Sequence, residues 1–203
     1  MTGKQEHPSP TPQPRGRRRR LTAQDWTDAA LTAIGEGGLA AVSVEPLAAR
    51  LGTTKGSFYW HFRDREALVE AALRRWEEVH TEAVIAALEA EPDPARRLRT
   101  LFAQGTSRVA EDPLEVTLLA TAAHPQVAEV LGRVTERRIA YLTALFRELG
   151  FPAEPARHRA LMAYTSYLGH AQLHHAAGAG AALPTGAEAG RHLDAVIETL
   201  VRR

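Results

Sequence analysis

From Leu21 onward the apolar residues recur at three- and four-residue intervals and never settle into strict alternation, the signature of helix rather than strand. Trp26, Ala30, Ala33 and Ile34 share one face of a first helix. Thr22 is placed to N-cap it, with Asp25 in the first turn, where the positive end of the helix favours an acid. Gly35, Gly37 and Gly38 are expected to stop it. Ser43 is the expected cap of a short second helix, Val44 to Leu51, with Pro46 in its first turn, where a missing N–H does little harm. Gly52 suits the left-handed residue that ends it. Thr54 is the expected cap of a third short helix running to about His61. Asp64 should cap a long fourth, with Leu68, Ala72, Trp76 and Val79 on its buried face.

Prolines then punctuate the chain. Pro92 and Pro94 are expected to open a fifth helix, Pro113 a sixth, Pro125 a seventh and Pro155 an eighth, each near a first helical position. The seventh carries a broad stripe of Val127, Val130, Leu131, Val134, Tyr141, Leu142, Leu145 and Leu149, and Gly150 ends it. A last helix places Leu193, Val196, Ile197, Leu200 and Val201 at i, i+3, i+4, i+7 and i+8. The expectation is an all-α protein of about nine helices.

Composition narrows the function classes. Hydrophobic residues make up 44 %, enough for a packed core, while aromatics are only 6 %. Cysteine is absent, which excludes disulfides, cysteine-type zinc sites and thiol nucleophiles. No apolar run approaches the roughly 20 residues that span a bilayer, so no membrane partner is expected. The first twenty residues lack the apolar stretch of a secretory signal, and the expected location is cytoplasmic. Residues 1–14 contain four prolines among polar residues and are expected to be disordered. The charge is split: residues 1–20 hold Lys4, Arg15, Arg17, Arg18, Arg19 and Arg20 against Glu6, a balance of +5, leaving −4 on the remainder of a chain whose total is +1. A basic arm on an acidic body fits an anionic polymer as partner, or a tail that merely aids solubility.

Residues 43–62 read Ser-Val-Glu-Pro-Leu-Ala-Ala-Arg-Leu-Gly-Thr-Thr-Lys-Gly-Ser-Phe-Tyr-Trp-His-Phe. Two helices too short to be stable alone meet at a turn centred on Gly52. Leu47, Leu51, Phe58 and Phe62 can be buried between them and the first helix. Thr53, Thr54, Lys55, Gly56, Ser57, Tyr59, Trp60 and His61 are left as a polar, aromatic outer face. Unpaired amides at a helix start attract phosphate, Lys55 is long enough to reach guanine or a phosphate, and Gly56 allows close backbone approach. An ordinary helical hairpin with a glycine turn satisfies the same spacing.

Residues 21–73 resemble the DNA-binding domain of the tetracycline-repressor (TetR) family. The likeness is carried by the opening helix, the glycine-rich stop, Ser43-Val44, Leu47-Ala48, the run from Gly52 to Phe62, and Asp64-Arg65-Glu66-Ala67-Leu68. It implies a three-helix helix-turn-helix domain over residues 21–67, after a basic arm of residues 1–20. It implies groove-facing roles for Lys55, Gly56, Ser57 and Tyr59, and phosphate-side roles for Ser43, Thr54 and His61. Arg65 stands where the family usually has lysine, a planar fork in place of a point charge. Thr53 replaces the commoner valine. The arm residues Arg17, Arg18, Arg19 and Arg20 are candidates for the adjacent minor groove or for unspecific phosphate attraction.

For residues 68–203 the family likeness is one of architecture. It implies a helical domain that encloses a small-molecule effector and pairs with a second copy through the last two helices. The stripe on the last helix fits such a seam, or packing against the chain's own core. Two copies would present two reading helices about 34 Å apart to a palindromic operator in double-stranded DNA. Candidate effector contacts are Trp76, Phe102, Tyr141, Met162, Tyr164, Tyr167 and His170, each equally readable as core. His170 and His174 have a spacing that can hold zinc, with His175 beside them, but no acidic residue lies between Arg159 and Ala187 to complete a site, and no metal or other cofactor is expected. No nucleophile elbow, Walker loop or dinucleotide fingerprint is present, so the expectation is not an enzyme. Three readings remain: a repressor released by its ligand, a DNA-binding regulator or activator without one, and a helical enzyme or carrier.

Overall fold

The computed structural model describes residues 20–176 and 183–203, the side chains of 109–111 excepted. Among these residues the protein is all-helical. In order come α1 (Ala23–Gly37), a 3-10 turn (Leu39–Ala41), α2 (Val44–Arg50), α3 (Lys55–Phe58), α4 (Arg65–Glu77), a π-helical turn (Glu78–Glu82), α5 (Ala83–Glu89), α6 (Pro94–Glu111), α7 (Leu114–Ala120), α8 (Pro125–Glu148), α9 (Ala153–His175) and α10 (Gly186–Val201). With α4, the π turn and α5 taken as one continuous rod, the described residues hold nine helices.

The helix starts follow from local chemistry. Thr22 and Asp25 cap α1 reciprocally: Asp25 N donates to Thr22 Oγ1 at 3.3 Å, and Thr22 N donates to Asp25 Oδ2 at 2.7 Å. Asp64 Oδ1 accepts from Ala67 N at 2.8 Å and opens α4, and Asp93 Oδ1 accepts from Ala95 N at 2.9 Å ahead of Pro94. Ser43 and Thr54 occupy N-cap positions with extended backbone, but neither side chain makes a capping bond. Pro155 falls at the third position of α9, which begins two residues earlier, and Pro113 stands just before α7. In both places the ring is still clear of any intrahelical N–H requirement.

Gly35 and Gly37 do not stop α1; the helix runs through both and ends at Gly38, whose φ is 68°. Packing overrides the weak helix propensity of glycine here: α7 lies against this stretch, and Thr117 Oγ1 reaches the Gly35 carbonyl at 3.4 Å.

Two cores organise the molecule. The first gathers Trp26, Ile34, Leu47, Phe58, Leu68 and Trp76 with Leu118 of α7 and Val127 and Val134 of α8. The second gathers Ile85, Leu98, Tyr141, Phe146, Tyr164, Ile197 and Leu200. The α10 stripe therefore packs on the chain's own core, with Ile197 and Leu200 buried and Leu193, Val196 and Val201 lying against it. Val79 is only half-buried, because the π turn adds a residue to its coil and brings Thr81 inward instead.

Candidate functional site

α2 and α3 meet through the turn foreseen at Gly52, whose φ is 63°. Gly52 N donates to Ala49 O at 3.1 Å and Thr53 N to Ala48 O at 2.9 Å, a Schellman closure that a left-handed residue permits. α3 is a single turn, too short to persist alone, and Phe58 pins it. That ring is wholly buried, edge-on to Trp26 at 5.4 Å and stacked on Phe62 at 5.7 Å. With Phe58 turned inward, its neighbours must turn out: Tyr59 is 56 % exposed and Trp60 85 %. Thr54, Lys55 and Gly56 are exposed beside them, and Thr53, Ser57 and His61 are half-buried.

Lys55 is not idle on this face. Its Nζ lies 2.5 Å from Glu45 Oε1, contributed by α2. The hydrogen bond, with the Coulombic pairing behind it, raises the lysine pKa and lowers that of Glu45. Ser43 is half-buried at the start of α2. Arg65 is used differently from a free phosphate contact: Nε donates to Val42 O at 2.7 Å and Nη2 to Leu39 O at 2.5 Å, tying α4 to the 3-10 turn. Nη1 remains, 3.8 Å from Glu66 Oε1. Arg20 is exposed just ahead of α1, whereas Arg17, Arg18 and Arg19 lie outside the described residues.

Deeper in the molecule a cavity of about 90 Å³ opens among α5, α6, α8, α9 and the π turn. Phe102, Tyr141, Tyr164 and Tyr167 line it. Trp76 instead belongs to the first core, with the Arg138 guanidinium 5.5 Å from its ring centroid. Met162 is 54 % exposed on α9. His170 lines an adjoining groove of about 470 Å³ between α6, α9 and α10, which shares Phe102 and Tyr167 with the cavity. His170 and His174 stack at 6.4 Å, and among the described residues no cluster of three or more metal-ligating side chains is found.

At one end of the cavity lies a polar cluster that sequence reasoning missed. Arg138 Nη1 donates to Glu115 Oε1 at 2.5 Å, Nε to Thr81 Oγ1 at 3.0 Å, and Nη2 to the His80 carbonyl at 3.1 Å. The phenol of Tyr167 donates to the other Glu115 oxygen at 2.7 Å. Burial of the phenol, with the Glu115 charge beside it, pushes the Tyr167 pKa well up and keeps it a donor. The cluster joins the π turn, α7, α8 and α9, while α7 also leans on α1.

Residues 27–72 match the family model of bacterial regulatory proteins, tetR family. That segment is a tetR-family one. Among solved structures the chain is similar to a transcriptional regulator of Rhodococcus sp. Rha1, with 23 % identity and a TM-score of 0.66 over 89 % of this chain and 94 % of that one. It is also similar to the regulator FadR of Bacillus subtilis in complex with stearoyl-CoA (15 % identity, TM-score 0.64, 89 % and 98 % covered). A third is a regulator described as putative from Saccharomonospora viridis, in complex with choline (18 % identity, TM-score 0.69, 87 % and 95 % covered). At such identities the likeness is one of fold. No curated protein matches the chain. Residues 27–72 thus carry the family's helix-turn-helix DNA-binding domain, and none of the described helices is long and apolar enough to cross a membrane.

Proposed function

We propose that this regulator is a transcriptional repressor, binding a palindromic operator as a homodimer and released when a small molecule fills its cavity. Residues 21–67 read the DNA, and residues 68–203 hold the effector and the second copy. The observation that carries this reading is the outward presentation of Lys55, Tyr59 and Trp60 around a buried Phe58. A one-turn α3 offers few base contacts, so specificity calls for two of them about 34 Å apart on adjacent major grooves.

Pairing through α9 and α10 draws support from where apolar surface is left bare. Four large apolar side chains are exposed among the described residues: Tyr59 and Trp60 beside α3, and Met162 and Leu173 on α9. Met162, Gly169 and Leu173 stand at i, i+7 and i+11, one face of that helix, and a glycine there lets another helix come close. The solved relatives holding stearoyl-CoA and choline lend support to an effector in this fold.

A gel-shift with the promoter DNA beside the gene itself tests the reading. The wild-type protein is expected to shift it as a dimer, and Lys55→Ala/Tyr59→Ala to lose the shift while melting normally. Unchanged affinity in that folded double variant would overturn DNA reading through α3. A stable monomer in sedimentation would remove the palindrome.

A further inference from the structure

The cavity is electrically lopsided. Its walls are mostly aliphatic and aromatic, yet two guanidinium groups, Arg108 and Arg138, line it, and no carboxylate among the described residues does. The two arginines differ. Each nitrogen of Arg138 already donates a hydrogen bond, to Glu115, Thr81 or the His80 carbonyl. Arg108 projects from α6 with no side-chain hydrogen bond or ion pair among the described residues. Arg108 also lines an adjoining small recess with Asp112 and Glu115, but Asp112 Oδ1 accepts from Leu114 N at 2.9 Å and both Glu115 oxygens are taken by Arg138 and Tyr167.

A guanidinium that bonds to neither nearby carboxylate and stands beside apolar walls is an unfavourable arrangement that an anion relieves. We propose that the effector of this regulator is a carboxylate with a compact apolar body, its oxygens on Arg108 and its hydrocarbon part against Phe102, Leu142 and Tyr164. This rests on the cavity being the effector site. The planar guanidinium fork matches a carboxylate's two oxygens. An amine meets like charge there, and an alcohol leaves Arg108 unneutralised.

Calorimetric titration of the full chain with hexanoate, hexanol and hexylamine tests the ligand class. Hexanoate is expected to bind at least about tenfold more tightly than hexanol, as a charge-assisted contact implies, with hexylamine weakest. Arg108→Gln should erase the acid's advantage, and Arg108→Glu should transfer it to hexylamine, both at near-normal melting temperature because Arg108 bonds to nothing that folding needs. Equal binding of acid and alcohol, a preference that survives Arg108→Gln, or no binding of hexanoate would overturn the proposal. Operator release measured in parallel keeps the two readings apart. Release by hexanol or hexylamine would leave the ligand-released repressor standing and sink the carboxylate. Hexanoate bound through Arg108 without release would do the reverse.

Discussion

Glu45 of α2 holds the ammonium of Lys55 at 2.5 Å, so the lysine expected to reach DNA is already engaged by an acid of its own domain. Both side chains are more than half exposed, and the pair is readily exchanged for a phosphate or a guanine edge. Glu45→Gln should therefore tighten DNA binding, by about three- to tenfold at low salt, because it frees Lys55 and removes a negative charge from a surface meant for an anion. Fluorescence anisotropy on operator and random duplexes checks this. The gain should appear on both and shrink as salt rises.

Glu115 and Arg138 are both buried, with side-chain exposures of 12 % and 13 %. Removing one member strands the other's charge. Glu115→Leu is expected to cost about 3–5 kcal/mol of stability, whereas Glu115→Leu/Arg138→Met together should cost clearly less than the sum of the singles. Denaturant unfolding of the four proteins closes the cycle; additive losses would mean the two groups act independently.

His80 sits where burial first, and then the Arg108 charge, lower its pKa from the ordinary 6.5, with Arg138 acting the same way and Asp112 and Glu115 opposing. A base that is harder to protonate when folded takes up its proton preferentially in the unfolded chain. Its contribution is fully favourable above pH 6.5 and is lost as pH falls below that value, toward the lowered folded pKa. His170, also lowered by burial and by His174, adds in the same direction. Unfolding free energies at pH 7.5 and pH 5.5 should differ less in His80→Gln than in wild type.

At Gly52 the backbone lies at φ 63°, and a Cβ added there would meet nothing within 4 Å. Gly52→Ala thus isolates backbone strain from packing, and should lower stability by about 1–2 kcal/mol. Thermal melting measures it, and DNA affinity should fall further than stability alone explains if the angle between α2 and α3 relaxes.

Where the chain's chemistry is local, it was legible. The Thr22–Asp25 cap, the Asp64 cap, the Gly52 turn and the inward Phe58 all lie within a few positions of their causes. Residue type makes Ser43 and Thr54 look like caps, yet packing holds those short helices and their hydroxyls stay uncommitted to the amides. Gly35 and Gly37 look like stops because nothing in the sequence announces that α7 will lie against that stretch. The α10 stripe left its partner open, since a clean amphipathic face looks the same against a second copy or its own core. Of the effector candidates, Phe102, Tyr141, Tyr164 and Tyr167 reached the cavity, and Trp76, Met162 and His170 did not. Glu115, Arg138 and Tyr167 come from three helices with no periodicity linking them, so their meeting is a tertiary fact.

One spare amino acid in the coil between Glu78 and Glu82 is worth roughly 100° of rotation about the helix axis. Without it, the side on which Leu68, Ala72 and Trp76 lie would carry on to Ala83 and Ala87, which face water. With it, Ile85 and Leu88 swing inward, to a different hydrophobic neighbourhood from the one Trp76 occupies. A single uninterrupted run of helix thereby furnishes both halves of the molecule, without a proline or a loop.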